Sequence, residues 1–391
     1  VGVGGFADGR FAPVADVFRR SLTDGGPGAA VTVVHRGDTV VDLWGGLADA
    51  RSGTPWAADT LAPLFSAGKG PAAVAALAAL ARGWIGLDDP VARTWTGFAT
   101  RGKDGVTLRH VLDHRSGLVV FGRRIDRHIL ADRAGMSAVI EGMSPAWEPG
   151  TRWGYHIGTF GELLAEILRR ADPQGRGFDR LFADVVARPL GADLHFGVDD
   201  PVRFARIARV RPPTVRDWAR DLPKVPGGLW RKVLNPVSLL HRAGREILSV
   251  DPGDPDWIRL PFPSANAVGT TRAVAALYAE VAAGGARLGL TPSVVDDLLA
   301  APEIPPGGSR DRVMGVDGRW RLGFVRPGPA FAFSPSPRAF GMPGLGGSFG
   351  FADPDEGLAY CFAPAGLGVL PFDEPREQAI RAAVLKAARK G

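Results

Sequence analysis

Cysteine is almost missing from this chain. Cys361 stands alone among 391 residues, which excludes an internal disulfide, a CxxC redox pair and a cysteine-rich zinc site together. Long apolar runs are missing as well. The longest uncharged stretch of small apolar residues, Pro71 to Ala81, falls far short of the roughly 20 residues that cross a bilayer. The opening residues Val1-Gly2-Val3-Gly4-Gly5 hold no basic stretch followed by an apolar one, so a cytoplasmic location without a membrane partner is expected. Lysine and tyrosine are scarce, at six and three copies. What is present is ordinary for a globular protein: 45% apolar and 23% charged residues, at a length that buries a large core without crosslinks.

The net charge of +6 is unevenly spread. Between Pro201 and Leu260 ten arginines and two lysines face six acidic residues, an excess equal to that of the whole chain. Basic residues alternating with Trp218, Trp230 and Trp257 are compatible with nucleic acid. No DNA or RNA module motif accompanies them, so no nucleic-acid partner is expected. Two readings of the segment remain, a solvated surface insertion or a device that steers an anionic substrate.

Apolar spacing predicts a first helix over Phe11–Leu22, then a hairpin of Ala30–His35 and Thr39–Trp44 around Arg36-Gly37-Asp38. The alanine-rich run Pro71–Trp84 predicts a buried helix. From about Leu87 to Gly285 helical segments alternate with Gly/Pro loops, over Leu108–His114, Gly161–Arg170, Phe178–Val186 and Thr270–Ala283. Strand-like runs return at Trp320–Val325, Gly347–Phe351 and Leu358–Phe362, before a last helix over Glu374–Ala388. The expected fold is therefore α+β: an antiparallel sheet flanked by helices, with a mostly helical domain inserted. The division is 1–90 plus 310–391 for the sheet domain and 91–309 for the helical one, which includes the basic insertion at about 199–262.

Two serine motifs compete for the chemistry. Gly346-Gly347-Ser348-Phe349-Gly350 matches a G-x-S-x-G nucleophile elbow, which needs an acid and then a histidine later in the chain. No histidine follows His241, so a glycine-rich strand end is the better reading. Ser66-Ala67-Gly68-Lys69 is an S-x-x-K at a helix entry. Residues three apart share a helix face, so Lys69 reaches the Ser66 hydroxyl. A lysine takes the serine's proton only if burial or a nearby charge lowers its pKa. The Ser66 N–H, unpaired at the helix start, is available to the oxyanion formed when Oγ attacks a carbonyl.

The blocks around this motif carry a resemblance. Ser66-Ala67-Gly68-Lys69, Leu108-Arg109-His110-Val111-Leu112-Asp113-His114-Arg115-Ser116-Gly117-Leu118, Glu148-Pro149-Gly150-Thr151-Arg152-Trp153-Gly154-Tyr155, Ser264-Ala265-Asn266-Ala267 and Phe340-Gly341-Met342-Pro343-Gly344-Leu345-Gly346-Gly347-Ser348 occur in order. Together they resemble the serine β-lactamase-like superfamily, most closely its class C and family VIII esterase branch. The resemblance implies a β-lactamase/DD-peptidase-like fold, with Ser66 as acylated nucleophile, Lys69 as its activator and Tyr155 as proton shuttle. Beside an ammonium the Tyr155 phenol is expected to favour its anion and act as a base. By the same resemblance the Leu345 N–H is the second oxyanion donor, and Gly344, Met342, Ile157 and His156 line the substrate site.

Departures from the family pattern matter as much. Tyr155-His156-Ile157 lacks the asparagine two residues after the tyrosine, and Met342-Pro343-Gly344 replaces the cation that opens the third motif. β-Lactam turnover is therefore not expected to be efficient, and an ester or thioester acyl group suits Ile157 and Met342 better. The expected activity is a serine esterase or transacylase using water, an amine or an alcohol as acceptor, with no cofactor and no metal. The insertion is expected to act as a lid whose arginines favour an anionic partner. His110 and His114 have metal-compatible spacing without a third ligand pattern. The alternatives are a catalytically silent binding or regulatory protein on the same fold, or a D-aminopeptidase.

Overall fold

The computed structural model describes residues 2–225, 227–247, 255–370 and 372–389. Its centre is an eight-stranded antiparallel sheet. In chain order the strands are β1 (Val3–Ala7), β2 (Ala29–His35), β3 (Asp38–Gly45), β4 (Trp320–Arg321), β5 (Phe324–Val325), β6 (Phe340–Pro343), β7 (Phe349–Asp353) and β8 (Leu358–Pro364). In space they run β1-β3-β2-β8-β7-β6-β5-β4. Both ends of the chain thus build one sheet, as the scattered strand-like runs imply.

Strand β8 shows how the sequence sorts its two faces. Leu358, Tyr360 and Phe362 join one core, whereas Ala359, Cys361 and Ala363 join the other. The period of two sends large residues one way and small ones the other. On the bulky side lie the terminal helices α1 (Ala12–Ser21) and, closing the chain, α5 (Pro375–Ala388), with Phe18, Ile380 and Val384 buried. On the small side, helix α4 (Thr271–Ala282) packs close to the strands, where Thr271 Oγ1 meets Thr32 Oγ1 at 2.8 Å. This helix falls in the stretch read from sequence as the inserted helical domain, yet it packs on the sheet.

Beneath α4 runs α2 (Lys69–Ala81), in which every residue from Lys69 to Ala79 is buried. Alanine makes this possible, because small side chains let neighbouring helices approach on all sides. Helix α3 (Thr159–Ala171) packs against it.

Several expectations need correction. No strand is foreseen before the first helix, yet β1 pairs with β3 along its whole length; two glycines in Val-Gly-Gly-Phe-Ala hide the alternation that marks a strand. The hairpin loop is Arg36-Gly37 alone, both at positive φ, the geometry that matches the twist of flanking strands. Trp320–Val325 is not one strand but a small hairpin, since Leu322 and Gly323 have φ of 46° and 88°. Phe178–Phe182 is helical and continues as a wider π turn over Ala183–Ala187. Strands also occur in the middle of the chain: Leu194–Phe196 and Ala267–Gly269 pair with each other, and Ala267–Gly269 pairs with Ala62–Pro63. That small sheet fixes the segment entering Ser66 beside the Ser264–Ala267 block, and Leu64 N donates to Ala267 O at 2.9 Å.

Candidate active site

Ser66 sits in a 3₁₀ turn, Phe65–Gly68, that runs directly into α2. Phe65, just before it, has φ of 50°, a left-handed conformation costly for an aromatic residue. The turn is held from two sides. Gly68 packs against Ala267, and the buried Ser348 hydroxyl donates to Leu64 O at 2.8 Å. The second serine motif is therefore structural, pinning the corner between β6 and β7 to the turn that carries the first.

Lys69 is fully enclosed, and its Nζ has three partners: Ser66 Oγ at 3.1 Å, Ile157 O at 2.9 Å and Ser264 O at 2.6 Å. No carboxylate neutralises it among the described residues. Burial accordingly lowers its pKa from 10.5 to about 7. As an ammonium, Nζ donates to all three partners; as a neutral amine it keeps two N–H groups for the two carbonyls and turns its lone pair to the Ser66 hydroxyl.

Tyr155 lies in the extended loop before α3. Its ring stacks on Trp320 at 5.1 Å and 7°. Lys69 Nζ stands 5.0 Å from the ring centroid, and Tyr155 and Ser66 line the same cavity. Asp311 holds this arrangement. Its buried carboxylate accepts from Tyr155 N at 2.8 Å, from Trp320 Nε1 at 3.1 Å and from Val313 and Met314 N–H. The expected phenolate is overturned. Burial pushes the Tyr155 pKa above its ordinary value, and Lys69, only about half protonated near pH 7, does not offset it. The phenol is a proton donor at rest.

The segment expected to supply the second oxyanion donor, Gly344-Leu345, follows directly on β6. Among the described residues neither the Ser66 N–H nor the Leu345 N–H has a backbone acceptor. Gly344 makes the approach possible: a methyl group on it would stand 2.4 Å from Leu64 O and 2.8 Å from Ala67 N. Pro343 does not disturb the strand. Its missing N–H falls beyond Gly341, the last residue of β6 that pairs with β5.

Ser66 and Tyr155 open into a cavity of about 300 Å³. Ile157 and Met342 line it, Leu345 stands exposed at its rim, and Trp320, Phe331 and Phe372 widen its apolar wall. His156 does not belong to this wall. It is buried, bonded through Nε2 to Ser116 Oγ at 2.6 Å and through Nδ1 to Gly154 O at 2.7 Å, with its pKa lowered to about 3 by burial. The peptide turn that aims Tyr155 outward sends its neighbour inward. His114 packs against His156 and the Tyr155 ring, while His110 Nδ1 caps its own helix by accepting from Thr107 N. The two are thus not turned toward a common ligand.

The insertion reaches the site with apolar residues: Leu240 and Ile247 line the cavity, and among the described residues none of its arginines does. The charged lining groups belong elsewhere and are engaged. Arg326 donates to carbonyls of Arg338, Ala339 and Ala300, and Arg319 pairs with Asp317 at 3.8 Å. Asp311, Trp320 and the Ser264 carbonyl were not singled out from sequence. Ser264 stands inside a family-like block, but a lone acid in a Gly/Pro-rich loop carries no signal of its own.

Residues 14–385 match the beta-lactamase family. The chain belongs to that family, and its fold and site define a serine hydrolase of the beta-lactamase type. Over 385 residues it is 32% identical to Esterase/beta-lactamase LipL of Mycobacterium tuberculosis (strain ATCC 25618 / H37Rv), covering 91% of this chain and 81% of that protein. Among solved structures it resembles a penicillin-binding protein homologue from Caulobacter crescentus, with 32% identity, a TM-score of 0.86 and coverage of 99% and 100% of the two chains. A family VIII carboxylesterase superposes with a TM-score of 0.83 at 30% identity, again over 99% and 100%. No helix among the described residues is long and apolar enough to cross a membrane.

Proposed function

We propose that the protein transfers the acyl group of an uncharged carboxylic ester to Ser66 and then to water, or to an alcohol or amine that enters the same cavity. The observation that carries this reading is the buried Lys69 amine, 3.1 Å from Ser66 Oγ and tethered otherwise only to two carbonyls. Neutral Lys69 accepts the Ser66 proton as Oγ attacks the ester carbonyl. The Ser66 and Leu345 N–H groups receive the negative charge on the carbonyl oxygen. Tyr155 gives its proton to the departing alkoxide and regains one from Lys69, so each proton taken from serine leaves with the alcohol. Deacylation reverses the path: the acceptor loses a proton through Tyr155 and Lys69, and Ser66 recovers it.

The wall favours an apolar acyl or alcohol group, because most of it is aromatic and aliphatic and its two arginines, Arg319 and Arg326, already have partners. The esterase names of LipL and of the family VIII carboxylesterase support the same substrate class. Intact-mass spectrometry after mixing with p-nitrophenyl butyrate tests it. The expected result is a butyryl adduct on the native protein and none on Ser66→Ala. Native-rate turnover by Ser66→Ala would overturn the reading.

A further inference from the structure

The cavity accounts for the inner side of the insertion and leaves its outer side unexplained. Helix Leu239–Ile247 has two unlike faces. Leu240 and Ile247 line the cavity, Ala243 and Glu246 are buried, and Arg242 and Arg245 are exposed. Of the ten large apolar side chains exposed among the described residues, seven fall between Val202 and Val237. Val215, Leu234 and Val237 are 87%, 74% and 78% exposed. Trp218 joins them, its ring 5.8 Å from that of Trp230, which ties helix Val215–Asp221 to helix Gly227–Leu234. Single exposed apolar residues are ordinary; a group of them gathered on one inserted segment marks a surface that something covers.

Charge indicates what covers it. Among the described residues near these side chains, Asp217 accepts from Thr214 N–H, and Asp221 pairs with Arg220 and Lys224. The cations are in excess. Arg216, Arg231 and Arg245 are exposed and have no ion pair among the described residues. A nucleic acid would use these arginines but leave Val215, Leu234 and Val237 in water. A second copy of the chain would set like charge against like. An anionic bilayer uses both features, taking valine, leucine and tryptophan into the acyl boundary while guanidinium groups meet the phosphates.

We propose that the outer face of the insertion seats on an anionic lipid surface, above the cavity that its inner face closes. A surface seat requires no spanning segment. The seat stands apart from the chemistry at Ser66; only the corollary, that apolar esters enter the cavity from that surface, rests on the function proposed above.

Co-sedimentation of the full chain with vesicles tests the seat. Binding is expected with phosphatidylcholine mixed with phosphatidylglycerol, weak with phosphatidylcholine alone, and falling as salt is raised. The combined variant Arg216→Ser/Arg231→Ser, and separately Val215→Ser/Leu234→Ser/Val237→Ser, are each expected to lower the partition by about tenfold. Both are expected to hydrolyse a soluble short-chain ester at the native rate. Ser66→Ala is expected to bind vesicles as the native protein does, so a failure of the chemistry and a failure of the seat are read separately. No binding to mixed vesicles, or undiminished binding by both variants, overturns the proposal. So does self-association that the apolar variant abolishes without any vesicle binding, which would assign the patch to a second copy.

Discussion

An amine that donates to two carbonyls and faces one hydroxyl has its lone pair free for that hydroxyl's proton, and this is the use proposed for Lys69. Because burial places the Lys69 pKa at about 7, protonation on the acid side removes the base. The expected kcat/KM profile for a neutral ester therefore falls as pH drops through about 7, with the loss on the acid limb because the unprotonated form is the active one. Lys69→Met is expected to abolish that inflection and lower kcat by about a thousandfold, within the range of general-base catalysis. A flat profile in the native protein would remove Lys69 from the base's role. Tyr155 behaves oppositely under the same physics: enclosure raises its pKa, so its phenol stays protonated across this range and adds no second inflection.

The site depends on how closely β6 approaches the turn that precedes α2. Gly344, just past the strand, lies against that turn, and there the space rather than the backbone angle requires glycine: φ is −122°, but a methyl group would stand 2.4 Å from a backbone oxygen. Gly344→Ala must push the strand and the turn apart, which separates the Leu345 N–H from the oxyanion. The expected result is a fall in kcat of about a hundredfold, the cost of one lost oxyanion donor. KM and the cooperativity of thermal unfolding are expected to change little. Equal losses in kcat and in folded fraction would instead mark Gly344 as a packing residue. The loop carrying Tyr155 has a different anchor, Asp311, whose four backbone and indole partners fix it from the side of the small β4–β5 hairpin.

At the scale of the molecule, helices from the middle of the chain and strands from both ends meet around one apolar cavity. Its lining arginines already have partners, so a substrate carboxylate would lose water and have to displace one of them. Leaving such a group unpaired costs about 3 kcal/mol, a factor of roughly a hundred. The cephalosporin nitrocefin, which bears a carboxylate, is therefore expected to show kcat/KM at least about a hundredfold below that of p-nitrophenyl butyrate. Comparable values for the two would point to a cation that reaches the substrate. The insertion contributes apolar wall inward and cationic, apolar surface outward, so a segment read from composition as one basic block divides its two characters between its two sides.

The chain's own order of residues was enough to put Lys69 beside Ser66 and Tyr155 in a loop ahead of a helix, because each placement depends on local facts: a turn of helix between the first two and a loop ahead of α3 for the third. It also determined the sheet's central strands, whose alternation survives in β2 and β8. It was silent on β1, where glycines erase the pattern, and it placed α4 in the wrong neighbourhood, since a helix does not announce which surface it will cover. Only the tertiary structure decided that Lys69 is enclosed by carbonyls from Ile157 and Ser264, that Asp311 holds Tyr155, that His156 turns inward and that Tyr155 keeps its proton. These properties depend on burial and on partners far apart in the chain, and spacing along a sequence does not encode how much water a side chain loses when distant segments close over it.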